Sequence, residues 1–117
     1  IKDNHIGYAV SIKEAISLAK ENSSFVRKIE VETESKEDVI EALEAGADII
    51  MLDNMSPSQA TEMVKLINGR ALTECSGNIT LDTVRNYALS GVDFISSGEL
   101  THSVKAFDIS LKNFMQL

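Results

Sequence analysis

Short apolar runs alternate with longer amphipathic stretches along this chain of 117 residues. Residues 49–52 are apolar without alternation, in a run too short for a helix and typical of a strand buried on both faces of a parallel sheet. Gly46 ends the amphipathic stretch before this run, and Ser56 and Pro57 begin the one after it. The same order recurs along the chain, so the pattern predicts successive β/α units.

Hydroxyl residues mark the predicted helix starts, because their oxygens can accept hydrogen bonds from the free amides of a first helical turn. They are Ser11, Ser35, Ser56 and Thr80. Behind each one, apolar residues recur at helical spacing and are predicted to face the core. These are Ile12, Ala15, Ile16 and Ala19, then Val39, Ile40 and Leu43, then Ala60, Met63, Val64 and Ile67, and finally Leu81, Val84 and Ala88.

Strands are predicted between these helices, at residues 26–34, 48–53, 71–75 and 93–97. Residues 1–8 are predicted to be the end of a strand and a loop, and residues 100–117 to contain a short helix and a terminal helix. Because strands and helices alternate, the strands must be parallel and joined by right-handed crossovers. The sequence therefore predicts an α/β fold with a parallel sheet and helices on its outer face.

Composition narrows the possible functions. Hydrophobic residues make up 44% and charged residues 25% of the chain, which is ordinary for a soluble globular protein. The net charge of −7 argues against a surface for nucleic acid or anionic membranes. The single Cys75 excludes an internal disulfide and a cysteine-based zinc cluster. No apolar run could span a bilayer, so we expect a cytoplasmic protein.

Polar residues gather where the predicted strands end, which is where α/β folds bind ligands. They are Lys2, Asp3, Asn4 and His5, then Glu30 and Glu32, Asp53, the residues of loop 76–78 (Ser76, Gly77, Asn78), and those of loop 97–99 (Ser97, Gly98, Glu99). Both loops contain glycine, which lets a backbone approach an anion, and each leads into a predicted helix. Together they predict a phosphate site, although ordinary turns use the same residues.

Glu32 and Asp53 could bind Mg²⁺, ribose hydroxyls or both, since hard cations prefer carboxylate oxygens. Glu30 lies on the same face of its strand, so either glutamate could face the ligand. The alternative is structural, with a buried carboxylate held by a lysine such as Lys2. Another alternative is a receiver-type signalling domain with Asp53 as phosphoacceptor, but residues 8–13 lack the acidic pair that such a domain needs.

Five motifs, in this order, resemble those of the quinolinate phosphoribosyltransferase family, also called nicotinate-nucleotide pyrophosphorylase (carboxylating). They are IKDNHI at residues 1–6, IEVE at 29–32, MLDN at 51–54, ECSGNIT at 74–80 and GELTHS at 98–103. The resemblance implies a parallel (β/α) barrel-type fold, here a partial TIM-like barrel. It also implies transfer of phosphoribose from phosphoribosyl pyrophosphate to quinolinate with Mg²⁺, yielding nicotinate mononucleotide, pyrophosphate and carbon dioxide in NAD biosynthesis.

The resemblance also implies residue roles. Lys2, Glu32 and Asp53 would be catalytic, and Glu32 and Asp53 would bind the metal. The substrate-binding residues would be these three together with His5, Ser76, Gly77, Asn78, Ser97, Gly98, Glu99 and His102.

The chain departs from the family pattern in two ways. Asn78 replaces the family's second glycine, and the chain has few arginines, namely Arg27, Arg70 and Arg85. We expect residues 1–117 to be the C-terminal half of the catalytic barrel domain, with little or no activity alone. Because the sheet edges and inner face of a half-barrel are uncovered, we also expect a homodimer or higher homo-oligomer.

Overall fold

The computed structural model describes residues 1–24, 27–102, 106–107 and 109–110. Its helices are α1 (Asp3–Ala9), α2 (Ile12–Asn22), α3 (Lys36–Glu44), α4 (Pro57–Ile67), α5 (Val84–Ala88) and α6 (Glu99–His102), and its strands are β1 (Glu30–Thr33), β2 (Ile49–Asp53), β3 (Leu72–Ser76) and β4 (Phe94–Ile95). The strands form one sheet in the order β1-β2-β3-β4, and every pairing is parallel. The predicted α/β architecture with parallel strands is confirmed.

Side-chain caps define the longer helices, as predicted. The Ser11 hydroxyl accepts a hydrogen bond from the amide of Glu14 at 3.1 Å. At the start of α3, the Ser35 hydroxyl accepts from the Asp38 amide and the Asp38 carboxylate accepts from the Ser35 amide, at 3.1 and 3.0 Å. Ser56 begins α4 with the same reciprocal arrangement. These caps satisfy amides that the first helical turn leaves unpaired.

The outer face of the sheet carries the core. We define it by the alternate residues Val31, Thr33, Ile50, Leu52, Thr73 and Cys75, all of which are buried. Helix α3 contacts β1 and β2, and α4 lies beside α3. Buried residues of these helices complete the cluster, among them Val39, Ala60 and Ile67. Removal of this apolar surface from water is the main force that holds the helices on the sheet.

The inner face of the sheet has a different character. It carries Glu30, Glu32, Ile49, Met51, Asp53, Leu72, Glu74 and Ser76, all partly exposed. The prediction that residues 49–52 are buried on both faces is therefore wrong for Ile49 and Met51, although Ile50 and Leu52 are fully buried. The physical reason is that four strands do not close around an interior.

The structure differs from the prediction at the start of the chain. The backbone of Ile1 does pair along the edge of β1, where its carbonyl accepts from the Glu32 amide at 3.0 Å. The next residues form α1 and not a loop, and the His5 side chain caps this helix by accepting from the Lys2 amide at 3.1 Å. β1 begins at Glu30, later than predicted, and Val26 lies outside the described residues.

The fourth predicted helix is shorter than expected. Residues 80–83 form a turn, in which the Thr83 amide donates to the Thr80 carbonyl, and α5 begins only at Val84. Leu81 is therefore 83% exposed, and Ala88 is exposed as well. In α3, Ile40 is also exposed, contrary to prediction. The short helix after residue 98 is confirmed as α6, whereas the predicted terminal helix falls outside the described residues.

None of the described helices is both long enough and apolar enough to cross a bilayer.

Two aspartates fasten the strands at their amino ends. The Asp48 carboxylate accepts a hydrogen bond from the Ile29 amide at 2.8 Å, just before β1. The Asp93 carboxylate accepts from both the amide and the hydroxyl of Thr73 in β3, each at 2.8 Å. Both aspartates follow a helix-ending glycine and precede a strand. In both of these similar segments, the aspartate side chain holds the start of its strand against the neighbouring strand.

The Asp93 carboxylate accepts two hydrogen bonds and that of Asp48 accepts one, so we expect the loss of Asp93 to destabilise the protein more. Asp93→Ala leaves two donors of the buried Thr73, its amide and its hydroxyl, without their acceptor and should cost about 2–3 kcal/mol of the free energy of unfolding. Asp48→Ala frees one amide and should cost about 1 kcal/mol. Urea unfolding measures both, with the exposed Asp82→Ala as control within about 0.5 kcal/mol of wild type. Equal losses for Asp48→Ala and Asp93→Ala would contradict the ranking.

Candidate functional site

Parallel pairing brings the candidate residues to one edge of the sheet. Glu32 is in register with Met51, two residues before Asp53, and Asp53 is in register with Ser76. Loop 76–78 follows β3, and loop 97–99 follows the neighbouring β4. The carboxylates and the two loops therefore lie side by side along the carboxyl edge, in the order of the strands.

Lys2 and Glu32 form an ion pair at this edge. Lys2 Nζ lies 3.8 Å from Glu32 Oε1, and the side chains are 71% and 17% exposed. A pair this open to solvent contributes little to stability. Its effect is local, because it keeps a cation beside the carboxylate on the inner face, where an anionic substrate would otherwise be repelled.

Glu30 lies deeper on the same face, next to Glu74. Burial and then the charge of Glu74 raise the pKa of Glu30. Glu30 Oε1 is buried and has no hydrogen-bond partner among the described residues. Glu74 in turn accepts a hydrogen bond from the Ser96 hydroxyl. Glu30 is thus disfavoured as an ionised ligand, and Glu32 is the better placed of the two glutamates.

The two loops border a common cavity. It has a volume of about 190 Å³ and is lined by Asn78, Ile79, Thr80, Gly98, Glu99 and His102. Its volume is several times what one water molecule occupies. His102 approaches Gly98 so closely that a Cβ added there would be 2.8 Å from His102 Nε2. Loops 76–78 and 97–99 therefore meet as the sequence predicted, with His102 beside them.

Several amides near the loops already have acceptors. Leu81 donates to Glu99 Oε2 at 3.1 Å, Thr80 donates to the Thr83 hydroxyl at 2.9 Å, and Glu99 donates to Ser97 Oγ at 3.3 Å. The prediction that loop 76–78 leads straight into a helix is wrong, because the turn at residues 80–83 intervenes. The Glu99 carboxylate consequently occupies a position that an anion would need.

Other amides in the loops remain available. Those of Gly77, Asn78 and Gly98 have no acceptor within the part of the chain that the structure describes. Gly77 and Asn78 have φ angles of 94° and 52°, a left-handed backbone that glycine adopts freely and asparagine tolerates. Asn78 and Gly98 line the cavity, and Gly77 directly precedes Asn78, so these amides are the groups that could bind an anion there.

His5 lies apart from the loops. Its Nδ1 atom accepts from the Lys2 amide at 3.1 Å, and its ring lines a groove of about 490 Å³ between α1 and α2. Tyr8 and Leu18 also line this groove, which is mostly apolar. The structure thus assigns His5 a helix-capping contact and does not bring it to the two loops, in contrast to His102.

Two residues outside the predicted set of site residues also lie at this edge of the sheet. Asn54 donates from its side chain to Asp53 Oδ2 at 2.7 Å, and Glu74 faces Glu30 on the inner face. A signal for Asn54 was present, because asparagine directly after a strand commonly adopts the left-handed backbone that it has here, with φ of 52°. For Glu74, the signal was its place two residues before the end of β3.

Among the described residues, no cluster of three or more His, Cys, Asp or Glu side chains is arranged to hold a metal ion. Cys75 is fully buried, and burial raises the pKa of its thiol to about 11. A thiol in this state is not a nucleophile at neutral pH. Carboxylates and loop amides are therefore the groups with which this edge of the sheet can act.

Comparison with known proteins identifies the family. A family described as the quinolinate phosphoribosyl transferase C-terminal domain matches residues 1–112. A probable nicotinate-nucleotide pyrophosphorylase [carboxylating] of Methanocaldococcus jannaschii is 51% identical over 95% of this chain, and that of Bacillus subtilis is 46% identical over 95%. The chain spans only 41% and 38% of these two relatives.

Solved structures agree with this match. The crystal structure of NadC from Streptococcus pyogenes superposes with a TM-score of 0.85 and 47% identity, covering 97% of this chain and 40% of that one. A receiver-type domain, the alternative considered from the sequence, has a doubly wound sheet whose strand order reverses at one point, unlike β1-β2-β3-β4. The chain therefore belongs to the quinolinate phosphoribosyltransferase family and corresponds to its C-terminal domain, a partial TIM-like barrel.

Proposed function

We propose that the protein to which this chain belongs is a quinolinate phosphoribosyltransferase. It transfers phosphoribose from phosphoribosyl pyrophosphate to quinolinate and releases nicotinate mononucleotide, pyrophosphate and carbon dioxide. The observation that supports this most is the row of polar groups along the carboxyl edge, in which Asp53 stands between Glu32 and loop 76–78. A reaction that separates charge at a sugar carbon needs carboxylates on one side and a phosphate anchor on the other.

The proposed phosphate anchor is the cavity between loops 76–78 and 97–99. The proposed donors for a 5′-phosphate are the amides of Asn78 and Gly98 at this cavity and that of the adjacent Gly77, which have no acceptor among the described residues. Glu99 opposes this binding, because its carboxylate borders the same cavity and already accepts from the Leu81 amide. We therefore expect weak affinity for a free phosphate ion, with the rest of the substrate contributing the remaining binding energy.

The proposed ribose site is formed by Asp53 and Glu32 on the inner face. As the bond to pyrophosphate breaks, positive charge develops on the ribose, and a fixed carboxylate stabilises that charge. Lys2, paired with Glu32, would contact an anionic substrate. The carboxylates of Glu32 and Asp53 also suit Mg²⁺, which commonly takes one or two protein carboxylates and completes its shell with water and substrate phosphates. Bound there, Mg²⁺ would neutralise the pyrophosphate leaving group.

The location of this activity within the cell and its assembly remain predictions of the sequence. A homodimer or higher homo-oligomer is consistent with a sheet whose inner face is partly exposed and whose Phe94 is 48% exposed.

Asp53→Asn should test the role of the carboxylate in the full-length protein. The substitution keeps the shape and removes the charge, so kcat should fall by about 100-fold or more. The matched control is Asp48→Asn at the opposite end of β2, which retains an oxygen to accept from the Ile29 amide and should leave kcat within about twofold. Quinolinate turnover with phosphoribosyl pyrophosphate and Mg²⁺ provides the measurement. If the kcat of Asp53→Asn lies within a few-fold of wild type, Asp53 has no part in catalysis.

Phosphate binding should change in opposite directions with two substitutions in loop 97–99. Glu99→Gln removes the competing charge and should strengthen binding of inorganic phosphate roughly tenfold, whereas Gly98→Asp adds a charge and a side chain and should abolish it. Amide chemical shifts of Gly77 and Gly98 during phosphate titration report this. Glu21→Gln on α2 removes the same charge away from the loops and should change nothing. Unchanged affinity in Glu99→Gln would rule out this cavity as the anchor.

A further inference from the structure

Asn54 joins the two halves of the proposed site. It is the residue after Asp53, and its amide donates to the Ser76 carbonyl at 2.9 Å, which fastens the end of β2 to the end of β3. Its φ of 52° is a left-handed backbone, which asparagine tolerates better than most residues. The backbone of Asn54 is therefore fixed by the same strand end from which loop 76–78 begins.

The Asn54 side chain bridges Asp53 and Asn78. Its Nδ2 atom donates to Asp53 Oδ2 at 2.7 Å, and its Oδ1 atom accepts from Asn78 Nδ2 at 3.3 Å. The direction of both bonds follows from chemistry, because an ionised carboxylate only accepts, so the amide NH₂ group must face Asp53. The carbonyl of Asn54 is then left for the NH₂ group of Asn78.

Gly77 packs directly against the Asn54 side chain. A Cβ atom at Gly77 would lie 2.2 Å from Asn54 Oδ1 and 2.7 Å from Asn54 Cγ, distances that exclude any side chain there. The φ of Gly77 is 94°, so its backbone is also one that other residues avoid. Loop 76–78 thus holds Asn54 both by a hydrogen bond and by direct packing.

The hydrogen bond from Asn54 is the main restraint on the Asp53 carboxylate among the described residues. Among the described residues, Asn54 is the one that donates a hydrogen bond to the side chain of Asp53. A short charge-assisted bond to one carboxylate oxygen restricts rotation and leaves the other oxygen for a ligand. Without it, the partly exposed Asp53 side chain could sample other rotamers.

We propose that Asn54 is a positioning residue that ties the orientation of the Asp53 carboxylate to the conformation of loop 76–78 through Asn78. This inference rests on the proposed function, because it assigns the loop to the phosphate and Asp53 to the ribose of one substrate. Phosphate bound at the loop then stabilises the orientation in which Asp53 faces the developing positive charge.

Glycine substitutions in the full-length protein test the bridge without disturbing the backbone, since glycine adopts the left-handed conformation at no cost. Asn54→Gly should lower kcat roughly tenfold and change KM for phosphoribosyl pyrophosphate by less than about threefold, because orientation matters in the transition state. Asn78→Gly should lower kcat about threefold in the wild-type protein and not at all in the Asn54→Gly background, since the link is already broken. Asn68→Gly is the matched control, a left-handed asparagine at the end of α4 with φ of 49°, and should leave kcat unchanged.

Crystal structures of the wild-type protein and of Asn54→Gly provide a measurement independent of activity. We expect the Asp53 carboxylate to occupy one rotamer in the wild type and to leave it, or to become distributed over several, in the variant. An unchanged Asp53 rotamer, or independent effects of Asn54→Gly and Asn78→Gly on kcat, would overturn the inference. If the wild-type protein lacks transferase activity, the proposed function fails, and the orientation of Asp53 in the two crystal structures still decides whether Asn54 positions it.

Discussion

Parallel pairing in chain order is the constraint on which the candidate site depends. Each crossover returns the chain to the same end of the sheet, so the residues after β1, β2, β3 and β4 meet at one edge although they are far apart in sequence. The register then sets the details. Because Asp53 lies opposite Ser76, the end of one strand and the start of the neighbouring loop share hydrogen bonds. A shift of this register by one residue would turn Asp53 to the opposite face of the sheet.

The outer face of the sheet stabilises the fold, whereas the inner face carries the polar groups of the candidate site. The outer face buries Val31, Ile50 and Leu52 against the helices and needs no polar partner. On the inner face, burial and the nearby charge of Glu74 raise the pKa of Glu30. A closely packed apolar layer would be more stable there. Carboxylates on a partly exposed inner face are instead what a site for a polar substrate requires.

The sequence predicted those features that depend on local chemistry. The helix caps at Ser35 and Ser56 and the strand before Asp53 follow from residues within one turn or one strand. The helix α1 was missed, because its cap is a histidine ring and its apolar positions are few. The start of α5 was placed too early, because threonine is a common helix cap but the Thr80 amide here donates to the Thr83 hydroxyl within a turn. The bridge through Asn54 depends on the register between β2 and β3, which brings two separate loops together, and a single sequence does not reveal that register.

Cys75 lies beneath the candidate site, immediately before loop 76–78, with its side chain in the sealed outer-face core. With its pKa raised to about 11, only a minute fraction of the thiol is ionised at neutral pH. No reagent reaches the thiol while the helices cover the outer face of the sheet. Alkylation of this cysteine therefore requires a local opening of the segment that carries the loop. The rate of its modification would record how often that part of the protein opens, without any label added to the chain.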